Sequence, residues 1–181
     1  MVYLFLANGF EEVEALCPLD LLRRVGLEIK TVGVGGKNIT GAHGITVVAD
    51  MIEGELDDTD PTAVILPGGM PGTTNLDASP VVHRVLDDAK KNGALIAAIC
   101  AAPMILGKRG DLRGKKAVCY PGFEKYLEGA EVPDMGVTVV TDGKLITARG
   151  MGVALEFGLA LVAALCSPDK ADELRHAVIA P

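Results

Sequence analysis

The sequence predicts an α/β protein built on a mainly parallel sheet with helices on both faces and a small hairpin. Short apolar runs alternate with helical patterns along the chain, which is the order of βαβ units. The runs Val2–Ala7, Ala63–Leu66 and Ala94–Ile99 are continuously apolar, as expected for strands covered on both faces. Ligands of such sheets bind beyond the carboxyl ends of the strands. Residues that follow these runs are therefore the first candidates for a functional site.

The elements of the first half follow from the spacing of apolar residues and from turn residues. The first helix is predicted to kink or restart at Pro18, which lacks a backbone N–H, and to end at Gly26. The predicted elements are strand Val2–Ala7, helix Glu11–Val25, strand Glu28–Val34, turns over 35–44, extended Ile45–Ala49 and strand Ala63–Leu66.

The second half continues the same alternation. Asp142-Gly143 predicts a hairpin turn between two extended segments. The predicted elements are helix Pro80–Lys91, strand Ala94–Ile99, helix Ala101–Leu106, strand Lys116–Cys119, hairpin strands Val137–Val140 and Leu145–Thr147, and helices Gly152–Leu165 and Pro168–His176. The chain of 181 residues has no repeat or linker, so we expect a single domain over residues 1–181.

Composition and charge exclude several classes of function. The formal net charge is -7, whereas binding to nucleic acid or to an anionic membrane needs a basic surface. The apolar stretches are too short to span a bilayer. The N-terminal residues lack the basic start of a signal peptide. We therefore expect a cytoplasmic protein that binds neither nucleic acid nor membrane.

The cysteines point to free thiols rather than to a disulfide framework or a metal site. Cys17, Cys100, Cys119 and Cys166 form no CxxC pair and match no zinc or iron–sulfur spacing. In a reducing compartment we expect them to be unpaired. No phosphate-binding or dinucleotide-binding motif occurs. The sequence therefore predicts no metal and no cofactor, and leaves a cysteine as a candidate nucleophile.

Cys100 stands between the most apolar predicted strand and the helix predicted to start at Ala101. A turn at this point pushes the sulfur out above the sheet edge, and a helix N-terminus lowers the pKa of a thiol. The pattern is similar to the nucleophile elbow of hydrolases without its flanking glycines. A cysteine in an apolar run is also often a small core residue, so the pattern alone leaves both interpretations open.

Three glutamates follow the first predicted strand. Glu11 and Glu12 suit the first turn of a helix, where acidic side chains interact favourably with the helix dipole. Glu14 is instead close in phase with the apolar face of that helix. A carboxyl group buried there has a raised pKa and can act as a general acid or base. An ordinary helix position is the alternative interpretation.

Three further segments supply candidate residues around Cys100. Gly68 and Gly69 follow a buried strand, and we predict that the amides of Gly69 and Ala101 form an oxyanion hole. A tight turn without a ligand is the alternative. His43 lies in a glycine-rich turn within reach of a site, although a surface position is the simpler interpretation, and no metal-ligand cluster is predicted from the histidines. Tyr120 follows a predicted strand and is a candidate for lining the site.

Taken together and in this order, these segments resemble the ThiJ/PfpI superfamily, and specifically its DJ-one branch. The resemblance covers essentially the whole chain and rests on the motifs GFEEVEA, LPGGMPG, AAICAAP, Cys119-Tyr120-Pro121 and ITARG. It implies a flavodoxin-like three-layer sandwich that forms a homodimer. It also implies that Cys100 is the reactive cysteine, that Glu14 is its protonated partner, and that Gly69 and Ala101 supply amide donors.

At three positions near the predicted site, this chain differs from some members of the family. Tyr120 stands where some members have a histidine, so a Cys–His pair is not available at that position. His43 stands where some members have an arginine thought to reach the site across the dimer. Ala101 follows the cysteine where the protease branch has a histidine, which argues against peptidase activity.

The resemblance implies a cysteine-dependent, cofactor-free enzyme of the glyoxalase III or protein deglycase type, acting on reactive dicarbonyls such as methylglyoxal and glyoxal. The alternative is an oxidative-stress redox sensor or holdase chaperone that acts through oxidation of Cys100. A third hypothesis, an amidotransferase or hydrolase triad, needs a histidine after the nucleophile, and only His176 follows Cys100.

Overall fold

The computed structural model describes residues 1–56 and 60–181. Its strands, β1 to β9 in chain order, are Val2–Ala7, Ile29–Val34, Asn38–Thr40, Thr46–Val48, Met51–Ile52, Ala63–Leu66, Leu95–Ile99, Val139–Asp142 and Leu145–Ala148. Its helices, α1 to α6, are Glu12–Arg24, Gly72–Asp77, Pro80–Lys91, Pro103–Lys108, Ala154–Leu165 and Pro168–Ala177. Short 3-10 turns span Glu53–Glu55, Glu124–Tyr126 and Met151–Val153.

Seven strands form one sheet in the order β5-β2-β1-β6-β7-β9-β8. All neighbours pair in parallel except β8 and β9, which form the antiparallel hairpin predicted around Asp142-Gly143. Strands β3 and β4 form a separate antiparallel hairpin. This arrangement confirms the predicted α/β class with a mainly parallel sheet.

The sheet is apolar on both faces because successive side chains of a strand point in opposite directions. In β1, Val2, Leu4 and Leu6 pack into a core with residues of α1, α5 and α6. Phe5 and Ala7 pack into a second core with residues of α2, α3 and α4. The result is three layers, which is the sandwich that the sequence predicts.

Helix α1 runs through Pro18 as one continuous helix, so the predicted restart at Pro18 is wrong. Proline removes a single backbone hydrogen bond from a helix interior. The helix is held in place at this point by tertiary packing. Helices α1 and α5 approach each other closely at Gly158. A Cβ built on Gly158 would lie 3.1 Å from Cα of Pro18 and 2.5 Å from Cδ1 of Leu21.

Further elements differ from the prediction. The hairpin strand predicted at Val137–Val140 is Val139–Asp142, the helix predicted from Gly152 begins at Ala154, and β5 and α2 were not predicted. The turn region 35–44 contains strand β3. The predicted strand Lys116–Cys119 forms only an isolated bridge between Lys116 and Glu131. There the Val118 N–H donates to the Thr147 hydroxyl at 2.9 Å, so a side chain occupies the place of a ladder partner. Helix α4 begins at Pro103 rather than at Ala101.

The carboxyl ends of β1, β6, β7 and β9 are adjacent, since these four parallel strands are neighbours in the sheet. The loops that follow them therefore meet at one edge of the sheet, as the strand-end rule predicts. None of the helices in the described part of the chain has the length and hydrophobicity of a bilayer-spanning segment.

Candidate active site

Cys100 lies on a sharp turn directly after β7. Its φ angle is 64°, a left-handed conformation that is uncommon for a residue other than glycine. Its N–H donates to the Ala148 carbonyl at 2.9 Å, and its carbonyl accepts from the Tyr120 N–H at 2.8 Å. These two bonds hold the turn from both sides. The left-handed residue also explains why α4 starts only at Pro103.

The Cys100 thiol forms a hydrogen bond with the carboxyl group of Glu14. Glu14 is 1% exposed, and its Oε2 also accepts from the Gly68 N–H at 3.0 Å. The two side chains come from α1 and from the β7–α4 turn, which are distant in the sequence. The fold thus creates the Cys–Glu pair that the sequence predicts.

Gly68 allows this pair to form because it leaves the space between the two side chains free. A Cβ at Gly68 would lie 2.6 Å from Cβ of Cys100 and 2.6 Å from Oε2 of Glu14. Such distances do not occur between real Cβ atoms and these groups. Any side chain at this position would therefore push the thiol and the carboxyl group apart.

Burial raises the pKa of Glu14 to about 7, although its hydrogen bonds with Cys100 and Gly68 lower it and the nearby charge of Glu11 raises it further. This agrees with the prediction of a carboxyl group that holds a proton near neutral pH. The carboxyl group is thus poised between its acid and base forms at the pH at which most enzymes work.

The pKa of Cys100 differs from the prediction, because burial raises it to about 12, with the charge of Glu14 and its hydrogen bond adding to the rise. The amides of Gly69 and Ala101 donate to the sulfur and lower this pKa. The predicted lowering by a helix N-terminus is wrong, since α4 begins beyond residue 102 and has only six residues. Burial of the sulfur, together with the neighbouring carboxylate, outweighs the two amides instead.

The two buried groups titrate as a pair, since a carboxylate and a thiolate in contact repel each other. The rise in the pKa of Cys100 includes the Glu14 charge, so it is removed in part when Glu14 is protonated. A Cys100 thiolate is therefore favoured only when Glu14 is neutral, and the O–H of Glu14 can then donate to the sulfur. In that state the pair carries one negative charge and one proton.

A second buried carboxylate, that of Glu12, holds the loop around His43. Glu12 Oε1 accepts from the His43 N–H at 2.8 Å and from the Ile45 N–H at 3.4 Å, and Oε2 lies 3.0 Å from His43 Nδ1. Burial raises the pKa of Glu12, but these hydrogen bonds outweigh it and hold the pKa below its ordinary value. Sequence reasoning missed this contact, because it joins residues 31 positions apart.

The predicted site residues surround one cavity of about 630 Å³. Its lining includes Glu14, His43, Gly69, Cys100, Ala101 and Tyr120. Gly68 lies behind Glu14 and contributes its N–H. His176, which the triad hypothesis needs, lies in α6 and is absent from this lining. The residues that sequence reasoning did not place here are Glu11, Met70, Pro121, Phe123, Arg149, Gly150, Met151, Gly152 and Val153.

Arg149 forms part of the cavity wall from a buried position. Its guanidinium donates to four backbone carbonyls, those of Val137 at 2.8 Å, Pro133 and Asp134 at 3.1 Å, and Cys119 at 3.4 Å. It therefore joins the 133–137 loop to the segment that carries Tyr120. The motif ITARG was the available sequence signal, but nothing in the pattern indicated which carbonyls the arginine would meet.

Glu11, Glu12 and His43 bring three ligand atoms within 4.8 Å of one another. This corrects the expectation that no histidine joins a metal-ligand cluster. The cluster arises because the hairpin folds over α1. Hydrogen bonds and ion pairs within the cluster account for it, including a distance of 3.4 Å between His43 Nδ1 and Glu11 Oε2.

Comparison with protein families identifies the family to which this fold and site belong. The model of the DJ-1/PfpI family matches residues 1–164. The chain belongs to the DJ-1/PfpI family. The match includes every residue of the Cys–Glu pair, the two glycines and the cavity wall, so the predicted resemblance is confirmed at the level of the family.

Individual DJ-1/PfpI proteins are similar along nearly the whole chain. "Protein dj-1beta" of Drosophila melanogaster is 34% identical over 175 residues, which cover 96% of this chain and 94% of the relative. "Glutathione-independent glyoxalase DJR-1.2" of Caenorhabditis elegans is 32% identical over 164 residues, covering 91% and 87%. The crystal structure of a DJ-1 superfamily protein from Salmonella typhimurium, a cysteine-to-alanine mutant, superposes with a TM-score of 0.93 at 34% identity, covering 99% and 98%.

Proposed function

We propose that this DJ-1/PfpI protein converts small reactive dicarbonyls, such as methylglyoxal and glyoxal, to hydroxy acids with Cys100 as nucleophile and without a cofactor. The observation that carries the proposal is the placement of the buried Glu14 carboxyl group beside Cys100 at an open cavity, where a Cβ on Gly68 would lie 2.6 Å from both Cys100 Cβ and Glu14 Oε2. The family relative named as a glutathione-independent glyoxalase supports it. A deglycase reaction on early adducts of these dicarbonyls would use the same pair.

The first step is addition of the Cys100 thiolate to the aldehyde carbon of methylglyoxal. A carbon–sulfur bond forms, and the electron pair of the carbonyl moves to its oxygen. Neutral Glu14 gives its proton to this oxygen, which yields a hemithioacetal. The amides of Gly69 and Ala101, which donate to the sulfur in the free protein, are assigned to stabilise the oxygen as it becomes negative.

The second step uses Glu14 as a base. Once the sulfur is bonded to carbon it carries no charge, so the ionised form of Glu14 is no longer opposed by a thiolate. The carboxylate takes the hydrogen of the former aldehyde carbon as a proton and returns it to the neighbouring carbon, while the hydroxyl proton moves to the second oxygen. The product is a lactate thioester. Water then cleaves the carbon–sulfur bond and releases lactate, a proton and free Cys100.

The experiment is an assay of lactate formation from methylglyoxal by the purified protein. We expect turnover by the wild type, its loss in Cys100→Ala, and no change in Cys166→Ala, because Cys166 is exposed and lies outside the cavity. Absence of turnover in the wild type would overturn the proposal. Equal turnover by wild type and Cys100→Ala would overturn the role of the cysteine.

A redox sensor or holdase chaperone is the second candidate function. It is favoured by the donors around the sulfur, since Glu14, Gly69 and Ala101 are placed to hold the oxygens of a sulfinic acid on Cys100. Mild peroxide treatment followed by mass spectrometry tests this candidate. It requires sulfinic acid at Cys100 and suppression of aggregation of a denatured client protein by the oxidised form only.

We further propose that the protein is a homodimer in a reducing compartment such as the cytoplasm. Glu12 binds the hairpin loop to α1, and both elements carry exposed apolar residues, Val13, Ile45 and Val48. Light scattering after gel filtration tests this, with Val48→Glu expected to shift the dimer toward a monomer. The compartment is supported by the four cysteines, which are all unpaired.

A further inference from the structure

The cavity around Cys100 is larger than a small dicarbonyl requires. Its volume of about 630 Å³ falls in the range of roughly 300–1,000 Å³ that is common for sites of drug-sized ligands. Methylglyoxal carries only a methyl substituent and would leave most of this space to water. The lining of the remaining space therefore bears on which substituent the site prefers.

The side chains around the opening are large and apolar. Met70, Tyr120 and Met151 line the cavity and are each between 48% and 53% exposed. Phe123 also lines the cavity, and its ring packs edge to face against that of Tyr120, with the ring centroids 6.5 Å apart. Half-exposed apolar side chains at a cavity mouth leave apolar surface in contact with water, which an apolar substituent would cover.

These side chains lie next to residues that surround the Cys100–Glu14 pair. Met70 follows Gly69, whose amide donates to the sulfur. The Tyr120 N–H donates to the Cys100 carbonyl at 2.8 Å. Met151 follows Gly150, whose added Cβ would lie 3.9 Å from Glu14 Oε1. A substituent on the carbon that is bonded to the reacting aldehyde would therefore extend among them.

The charges at the cavity disfavour an anionic substituent. Glu11 and Glu14 both line it. In the described part of the chain, its cationic lining residues are Arg149 and His43, and both are engaged. Arg149 donates to four carbonyls, and His43 pairs with Glu11 and Glu12. A carboxylate or phosphate on the substrate would find no free partner among them.

We propose that the preferred substrates of this site are α-oxoaldehydes with a bulky, uncharged apolar substituent, branched alkyl or aryl, rather than methylglyoxal itself. Met70, Tyr120 and Met151 determine this specificity. The proposal rests on the proposed dicarbonyl function and assigns its substrate class. One methylene in an apolar pocket changes kcat/KM by about tenfold or more, so the preference is large enough to measure.

The first experiment compares kcat/KM for three oxoaldehydes: methylglyoxal, isobutylglyoxal and dioxovalerate, whose tail is similar in length to isobutyl but ends in a carboxylate. We expect isobutylglyoxal to exceed methylglyoxal by at least about tenfold and dioxovalerate to fall below methylglyoxal. Equal values for isobutylglyoxal and methylglyoxal, or a preference for dioxovalerate, would overturn the proposal while leaving the dicarbonyl function intact.

Variants connect the preference to the named side chains. The double variant Met70→Ser/Met151→Ser is expected to lower the ratio of kcat/KM for isobutylglyoxal over methylglyoxal by about tenfold. Met135→Ser is the matched control, because Met135 is 57% exposed but lies outside the cavity lining. An unchanged ratio in the double variant would remove these methionines from the specificity.

A binding measurement separates this proposal from the proposed function. Acetophenone has an aryl ketone but no aldehyde, so it can occupy the cavity without reacting. We expect it to slow alkylation of Cys100 by iodoacetamide more strongly than acetone does, and less so in the double variant. If no oxoaldehyde is turned over, the dicarbonyl function fails and the substrate preference with it. If acetophenone protects no better than acetone, the apolar subsite itself is contradicted.

Discussion

Glu12 and Glu14 lie two residues apart in the first turn of α1, are both buried, and have opposite pKa shifts. Glu12 faces the hairpin loop and accepts hydrogen bonds from two backbone amides and the His43 ring. Glu14 faces the sheet edge and has one backbone amide and the Cys100 thiol. Deep burial raises the pKa of Glu14, whereas Glu12 is covered only by the hairpin loop and its several donors outweigh its burial, so depth of burial and number of donors together decide which carboxyl group keeps its charge.

The two carboxyl groups consequently suit different tasks. Glu12 stays ionised and fixes the loop that carries His43 at the cavity mouth. Glu14 holds a proton near neutral pH and contacts the reactive sulfur. A matched pair of glutamine substitutions, Glu12→Gln and Glu14→Gln, tests this division of roles, because glutamine has nearly the same shape but cannot ionise.

The largest expected effect is on activity. Glu14→Gln should lower kcat/KM for methylglyoxal by about 10²–10⁴-fold, the usual contribution of a general acid or base. Glu12→Gln should lower it by less than about tenfold, since Glu12 acts only through the loop. Circular dichroism should show both variants folded. Equal losses in the two variants would contradict the division of roles.

The second effect is on the pH dependence of stability. The folded pKa of Glu14, about 7, lies above its ordinary value of 4.5. Between these values the folded protein holds a proton that the unfolded chain has lost, so the free energy of unfolding of the wild type falls as pH rises. The shift corresponds to about 3 kcal/mol.

In the Glu14→Gln variant the glutamine side chain cannot ionise. The free energy of unfolding of this variant should therefore not fall with pH in the same way. Its stability relative to wild type should therefore rise by about 3 kcal/mol between about pH 4 and about pH 8. Denaturant unfolding of both proteins at the two pH values measures the change. A constant difference would mean that the pKa of Glu14 is the same in the folded and the unfolded protein.

A smaller effect of the opposite sign is expected at Glu12. Its pKa is lowered in the folded protein, so its contribution is present above the unfolded pKa and is lost as pH falls through the folded pKa. Glu12→Gln should lower the free energy of unfolding by about 1 kcal/mol at neutral pH, after allowance for solvent screening of the loop. The same unfolding experiment should find no difference from wild type at low pH.

The smallest effect is expected at His43. His43→Ala removes the ring hydrogen bond that lowers the pKa of Glu12, so the pKa of Glu12 should rise toward its ordinary value. NMR titration of the Glu12 carboxyl carbon measures this. Turnover of methylglyoxal should change by less than about threefold, because the His43 ring is exposed and its interactions are screened. A larger loss would place His43 in the chemistry.

The sequence predicted the parts of the site that lie directly after strands. Cys100, Gly69 and Glu14 could be placed because parallel strands bring their carboxyl ends to one edge, whatever the details of the loops. The apolar runs were sufficient for β1, β6 and β7 for the same reason. Helix phase then turned Glu14 inward, and the structure agrees.

The remaining parts depend on contacts that no local pattern encodes. Glu12 meets His43 only after the β3–β4 hairpin has folded over α1. Arg149 finds its carbonyl partners on two separate loops. The pKa of Cys100 was predicted in the wrong direction, because the left-handed turn displaces the helix start, and burial of the thiol together with the charge of Glu14 outweighs the two amides.

The coupling between Glu14 and Cys100 can be tested directly by NMR titration of the Glu14 carboxyl carbon, in wild type and in Cys100→Ala. We expect a midpoint near pH 7 in the wild type. We expect a higher midpoint in Cys100→Ala, since the hydrogen bond with the thiol lowers the pKa of Glu14. A midpoint near the ordinary value of 4.5 in both proteins would contradict the claim that Glu14 and Cys100 share a proton.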